Sequence, residues 1–272
     1  MAGYVPGDTV MPIPSAIVKA HRLLWRHGLA PARKDFHPVA NVVRYVEFWR
    51  DWRAYSRLPG AETLNIADSF PRLDDATQLT GIETHYFYQS VWLAQRLAAS
   101  RPTLHVDVGS DHRMVGMLTS HSKIVFVEIR PLAATVDSLV PITGSIVQLP
   151  LRDRSVRSMS CLHVAEHVGL GRYGDKMDPN GTRRSAEELG RALAPGGNLY
   201  FSVPVGRPRT EFNAHRVHTP LQVRAMFPDL ELVAFSAEDD AGRFHAHAEP
   251  TDFEHASYAC GMFWFRRPEE LG

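Results

Sequence analysis

Cysteine is scarce: Cys161 and Cys260 are the only two in 272 residues, and both lie in apolar, strand-like stretches. Two such thiols make no disulfide framework and point to a reducing compartment. An excess of charge is also missing, because 30 basic and 30 acidic residues balance to +0. That balance excludes general nucleic-acid binding driven by charge. No apolar run approaches the roughly twenty residues that span a bilayer. Residues 1–14 are rich in proline and glycine and lack the basic-then-apolar order of a secretory signal. The expectation is a soluble, cytoplasmic protein. Global disorder is excluded, since 44% hydrophobic residues supply a substantial core. The length suits one large domain, or a domain with an extension.

Glycine is sparse where a nucleotide-binding loop would use it. The stretch Leu104-His105-Val106-Asp107-Val108-Gly109 alternates, is β-branched, and stands between Pro102 and a single glycine, so it predicts a buried strand. Ser110 and Asp111 can cap a helix whose apolar face is Met114, Val115 and Leu118. Residues 123–128 form a second apolar strand ending on Glu128. Strand, glycine turn, helix, strand and acid make the nucleotide-binding half of a doubly wound sheet. Gly109 lets a ligand approach the backbone, and Glu128 can accept from both ribose hydroxyls.

Upstream, residues 16–29 predict a basic amphipathic helix that packs on its own domain or touches an anionic membrane surface. Residues 39–56 predict a second helix, stopped by Leu58-Pro59-Gly60, and 61–81 a connection with short turns. A third helix carries Tyr86, Phe87, Tyr88, Val91, Trp92, Leu93 and Leu97, its aromatics facing the core. Downstream, helices are expected over 131–139, 185–193 and 221–227. Strands are expected over 145–148, 156–162, 198–203, 230–236 and 258–265, with a sharp turn at Pro195-Gly196-Gly197. Strands alternating with helices predict a parallel α/β sheet. The last strand follows a loop, which predicts an antiparallel partner at the edge. Residues 1–83 then form an N-terminal helical extension or cap, and 84–272 the α/β domain.

Chemistry concentrates at Cys161-Leu162-His163-Val164-Ala165-Glu166-His167, a strand-to-helix join of the kind that binds ligands in open α/β sheets. His215 follows the next strand and should reach the same crevice. Three imidazoles and a carboxylate can hold a divalent metal. Without a metal, a histidine can serve as general base. A third reading makes Glu166 and His167 polar groups of a helix start. The same residues also spell the inverted zinc-peptidase signature His-x-x-Glu-His, a remote alternative because the flanking pattern belongs to a nucleotide fold. The join after the fourth strand, 169–181, is rich in Gly, Asp and Pro, as a substrate lid would be.

Val106-Asp107-Val108-Gly109, Glu128, Gln148-Leu149-Pro150-Leu151, the join at 161–167 and Leu193-Ala194-Pro195-Gly196-Gly197-Asn198-Leu199 together resemble the class I S-adenosylmethionine-dependent methyltransferases. The residues Glu166 to Asp175 and Phe212-Asn213-Ala214-His215-Arg216 are similar to a branch associated with surface-polysaccharide biosynthesis. The resemblance implies a Rossmann-like, mostly parallel seven-stranded sheet with an antiparallel edge strand. It implies S-adenosyl-L-methionine as cofactor, held by Asp107, Gly109, Glu128, Ser145, Gln148 and His163. A divalent ion on His163, Glu166, His167 and His215 is implied by relatives with a Glu-x-x-Glu-His join. The implied reaction is O-methylation of a small-molecule or glycan hydroxyl. His167, His215 and His163 are the catalytic candidates, and Arg172, Tyr173, Asp175 and Asn213 face the acceptor. The alternative from another class is a non-catalytic methyltransferase-like scaffold, which the sparse glycine loop supports and the histidine cluster opposes.

Overall fold

A computed structural model describes residues 38–73 and 75–270. The helix expected over 16–29, with its membrane contact, lies outside the described residues. The chain divides into two units between Gly81 and Ile82. In the first, helix α1 (Pro38–Tyr55) packs Phe48, Trp49 and Trp52 edge to face, with successive ring centroids 5.1 and 5.9 Å apart. The connection after it contains one short 3-10 turn, Ile66–Asp68, where the Asn65 side chain accepts from the Ala67 N–H at 2.9 Å.

The second unit runs α2 (Thr84–Ser100), β1 (Leu104–Val108), α3 (His112–Leu118), β2 (Lys123–Glu128), β3 (Leu139–Thr143), β4 (Val156–Leu162), α4 (Gly181–Ala192), β5 (Leu193–Val205), β6 (Arg209–Glu211), β7 (His215–Val217), α5 (Pro220–Ala225), β8 (Glu231–Glu238), β9 (Phe244–His245) and β10 (Ala259–Arg266). The main sheet has eight strands in the order β3-β2-β1-β4-β5-β10-β8-β9, and β6–β7 is a separate hairpin. Strands β3 to β5 pair in parallel, while β10 is antiparallel to both β5 and β8. The architecture is the doubly wound, mostly parallel sheet expected from the sequence.

Both faces of the sheet are covered. Val106, Val108, Met159, Phe201 and Val203 pack with Ala186 and Leu189 of α4 on one face. Ile124, Phe126, Leu162 and Met262 pack with Trp92, Leu93 and Leu97 of α2 and with Met114 and Val115 of α3 on the other. Burying each of the large side chains contributes about 2 kcal/mol.

Five expectations are corrected. The sheet has eight strands and not seven. The last strand is not at the edge: β10 enters between β5 and β8. The helix expected over 131–139 is absent, because the free edge of β2 takes up Leu139–Thr143 as a partner, Ile124 opposite Leu139. Pairing at a sheet edge overrides the weak helix preference of this short segment. The strand expected over 145–148 is a tight turn closed by Gln148 N–H to the Ser145 carbonyl at 3.1 Å. The Pro195-Gly196-Gly197 turn is a bulge inside β5: Val156 faces Leu193 and Ser158 already faces Asn198. Gly196 supplies the positive φ of 68° that this bulge needs.

Candidate active site

The β1–α3 turn is built by its own polar residues. The Asp107 carboxylate accepts from the Ser110 N–H at 3.0 Å and from the Ser160 hydroxyl. Ser110 Oγ in turn accepts from the Leu162 N–H of β4 at 3.0 Å, tying two strand ends together. Gly109 sits at φ 71°, and a Cβ there would lie 2.9 Å from Val164 Cγ1. Any other residue would therefore be both strained and crowded. The Asp111 side chain caps α3 through the Arg113 N–H at 2.8 Å.

Above this turn lies a cavity of about 700 Å³, within the usual range for small-molecule and cofactor sites. Gly109, Glu128, Ser145, His163, His167, Tyr173 and Asp175 line it. A second cavity of about 540 Å³ adjoins it, sharing Gly109, Glu128, Arg130, His163 and Tyr173, and adding Tyr86 and Ser110 to His112. Glu128 is half-buried at the end of β2, and one of its oxygens accepts from the Arg130 N–H at 3.1 Å.

Several sequence-assigned residues fall elsewhere. Asp107 does not line the cavity. It is fully buried beneath the turn, where burial pushes its carboxyl up to about 6 against the pull of Ser160 and Ser110. Gln148 is exposed and lines neither cavity, because the 145–148 turn points it outward. Arg172 lines neither cavity, its Nη1 lying 3.2 Å from both the Ala214 carbonyl and His167 Nδ1, and Asn213 is exposed on the β6–β7 connection. Asp175 faces the cavity, but both its oxygens accept backbone N–H groups, Gly169 at 2.6 Å and Tyr173 at 3.2 Å. It shapes the loop. The aromatics of α2 are not all core: Trp92 is buried, whereas Tyr86 and Phe87 are exposed and Tyr86 lines the smaller cavity.

The loop from 168 to 180 is organised. Arg216 donates to the Val168 carbonyl at 2.6 Å and to the Asp178 carbonyl at 2.9 Å, clamping both ends. The strands of the loop cross so closely that a Cβ on Gly169 would lie 2.1 Å from the Asp178 carbonyl oxygen. Tyr173 projects from it, flanked by the guanidinium groups of Arg130 and Arg172 at 5.0 and 5.1 Å from its ring centre.

The join after β4 carries the titratable groups. Its helical part is one 3-10 turn, Ala165–His167. His163 precedes it with φ 54°, a region that non-glycine residues rarely occupy. His163 Nδ1 lies 3.1 Å from Glu166 Oε1, and its Nε2 lies 3.3 Å from Cys260 Sγ. Burial alone would lower the His163 imidazole, but Cys260 and Glu166 outweigh it and push it up to about 10. Burial opposes ionisation of Glu166, yet His163 and then His167 hold its carboxyl below the ordinary range. His167 Nδ1 donates to the Ala214 carbonyl at 2.6 Å, and its Nε2 is 3.6 Å from Glu166 Oε1. That hydrogen bond puts the proton of neutral His167 on Nδ1 and leaves Nε2 as the basic nitrogen.

His215 stands behind His167, with ring centres 6.4 Å apart, and lines neither cavity. Its Nε2 is 3.2 Å from Glu211 Oε2, and burial lowers its imidazole. The four residues His163, Glu166, His167 and His215 are thus neighbours, but their ligand atoms do not form a common metal-sized cluster. Among the described residues, that property belongs to His85, His163 and Cys260. His85, Cys260 and Tyr258 were missed by sequence reasoning. Their only signal was an ionisable or polar residue at the rim of an apolar element.

The family described as Caenorhabditis protein of unknown function matches residues 154–259. No curated protein matches the chain in sequence. Two solved structures share the fold. One is the N-methyltransferase NodS from Bradyrhizobium japonicum WM9 in complex with S-adenosyl-L-homocysteine. It is 14% identical with a TM-score of 0.50, over 82% of this chain and 99% of that one. The other is described as a sarcosine dimethylglycine methyltransferase from Galdieria sulphuraria, 14% identical with a TM-score of 0.50, over 68% and 87%. At these identities the likeness establishes the fold alone, a Rossmann-like, mostly parallel sheet. No described helix is long and apolar enough to cross a membrane.

Proposed function

We propose that the protein is an S-adenosylmethionine-dependent methyltransferase. The observation that carries this reading is the larger cavity at the ends of β1, β2 and β4, walled by Gly109, Glu128 and Ser145. The structural relative that holds S-adenosyl-L-homocysteine supports the same cofactor here. Gly109 brings backbone close to the ligand, Glu128 accepts from the ribose hydroxyls, and Ser145 with Ile146 borders the adenine. When bound, the cofactor supplies an electrophilic methyl group on a sulfonium.

The acceptor oxygen attacks the methyl carbon while the carbon–sulfur bond breaks and sulfur keeps the electron pair. The protein's part is alignment and removal of the acceptor proton. His167 Nε2 is the group proposed to take that proton, since its Nδ1 is committed to Ala214. Tyr173, with Arg130 and Lys176 beside it on the cavity wall, supports a hydroxylated, anionic acceptor such as a nucleotide-linked sugar or glycan. Polysaccharide biosynthesis is the setting this acceptor suits. Calorimetry with S-adenosylmethionine and its demethylated product tests the reading directly. Binding is expected for the whole protein, and its absence would favour a non-catalytic scaffold.

A further inference from the structure

Behind the wall shared by the two cavities, three side chains from distant parts of the chain meet. They are His85 from the first turn of α2, His163 after β4, and Cys260 on β10. Each offers one ligand atom, and these atoms all lie within 4.8 Å of one another. Tetrahedral zinc ligands at their usual bond lengths lie about 3.5–4 Å apart, so small side-chain movements would close the set on one ion. We propose that His85, His163 and Cys260 form a binding site for a soft divalent ion of the zinc class, with one thiolate and two imidazoles as ligands and a fourth position left open.

The residue types argue for this ion class. Thiolate and imidazole together select zinc over magnesium or calcium, which require oxygen ligands. The surroundings provide an independent observation. A buried carboxylate stands beside each imidazole: Glu166 Oε1 is 3.1 Å from His163 Nδ1, and Glu238 Oε2 is 3.7 Å from a nitrogen of His85. The second oxygen of Glu166, Oε2, and Oε2 of Glu238 are buried without a hydrogen-bond partner. Buried, unsatisfied carboxylates are unfavourable unless positive charge is held nearby. Outer carboxylates behind metal-bound imidazoles orient the rings and raise their basicity. The positive φ of His163 adds a strained backbone that holds this ring between Glu166 and Cys260. Because His163 also lines both cavities, loading the site would fix that part of their wall. The proposal does not rest on the methyl-transfer reading, and cofactor binding can be measured separately.

The test uses the full-length protein, stripped with a chelator and titrated with cobalt(II) and then zinc. One cobalt per chain is expected, with a thiolate-to-cobalt charge-transfer band and the visible bands of tetrahedral coordination. Zinc should displace it and raise Tm. Cys260→Ser should remove the charge-transfer band, and His85→Gln should weaken zinc binding more than a hundredfold. Glu166→Gln should keep the band while weakening zinc about 10–100-fold, the usual effect of an outer partner. No thiolate band in the wild type would overturn the site, as would a zinc-dependent Tm rise retained in His85→Gln. His85 is only partly buried, so that variant decides the matter even where Cys260→Ser fails to fold.

Discussion

Two histidine networks sit at neighbouring strands of the same sheet and differ in one respect. Around His105 everything is satisfied: Nδ1 meets Ser158 Oγ and Nε2 meets Ser160 Oγ, both at 2.8 Å, and Ser160 donates on to Asp107. Around Glu166 less is: Oε1 has its ion pair with His163 at 3.1 Å, but Glu166 Oε2, His218 Nε2 and Glu238 Oε2 are buried without hydrogen-bond partners. Each contains a fully buried carboxylate, Asp107 in the first and Glu166 in the second. A closed network of this kind rigidifies a core, whereas an open one keeps unused binding capacity at a cost in stability. The closed network is therefore architecture, and the open one is where ligands and protons are expected to act.

Variants should separate the two roles. The largest effect is expected in the open network. His167→Ala should lower methyl transfer by roughly two to four orders of magnitude, the span of proton-transfer catalysis, with the urea midpoint little changed. Wild-type turnover in that variant would remove His167 from the chemistry. Next comes the closed network. Asp107→Ala orphans the Ser110 N–H and removes the acceptor of the Ser160 hydroxyl, and should cost about 3 kcal/mol in urea unfolding. Its loss should appear as stability, and a selective loss of catalysis in a fully folded Asp107→Ala would contradict the division. Glu128→Ala, between the two, should weaken S-adenosylmethionine by at least ~1 kcal/mol in calorimetry through lost charge-assisted hydrogen bonds. The smallest effect is at Gln148: since it lines neither cavity, Gln148→Ala should leave cofactor affinity unchanged.

The pH dependence sharpens the same contrast. Burial lowers His105 to about 3, and burial with His163 nearby lowers His85 to about 4. The folded state thus resists protons that the unfolded chain takes up near 6.5, and stability should fall as pH drops from about 6.5 through these values. Asp107, raised to about 6, acts oppositely by gaining a proton more readily when folded. His163 is raised to about 10, so its contribution is complete below 6.5 and is lost as pH rises toward 10. Urea midpoints across pH should show His105→Phe flattening the acid limb and His163→Gln the alkaline one. An unchanged acid limb in His105→Phe would mean that His105 is protonated in the fold.

The sequence made the β1–α3–β2 unit legible, because a period of two, one glycine and a terminal acid all point the same way. It also marked the 163–167 join, where ionisable residues crowd a strand end. It did not reveal where Asp107 stands, since a carboxylate beside a glycine turn looks the same in sequence whether it faces the cavity or supports it from below. The metal-capable set was hidden for a topological reason. Cys260 is 97 residues from His163, and they meet only because β10 runs through the interior of the sheet. Edge pairing hid β3 in the same way, because its partner surface is supplied by β2.

The position of β10 also sets an order on the birth of the molecule. Strands β1 to β5 can pair as they leave the ribosome, yet β8 and β9 join the sheet only through β10. Until Ala259–Arg266 emerges, the long strand β5 presents an open edge of unpaired backbone groups to the cell. A nascent chain stalled before that point is where chaperone capture, proteolysis and aggregation should concentrate.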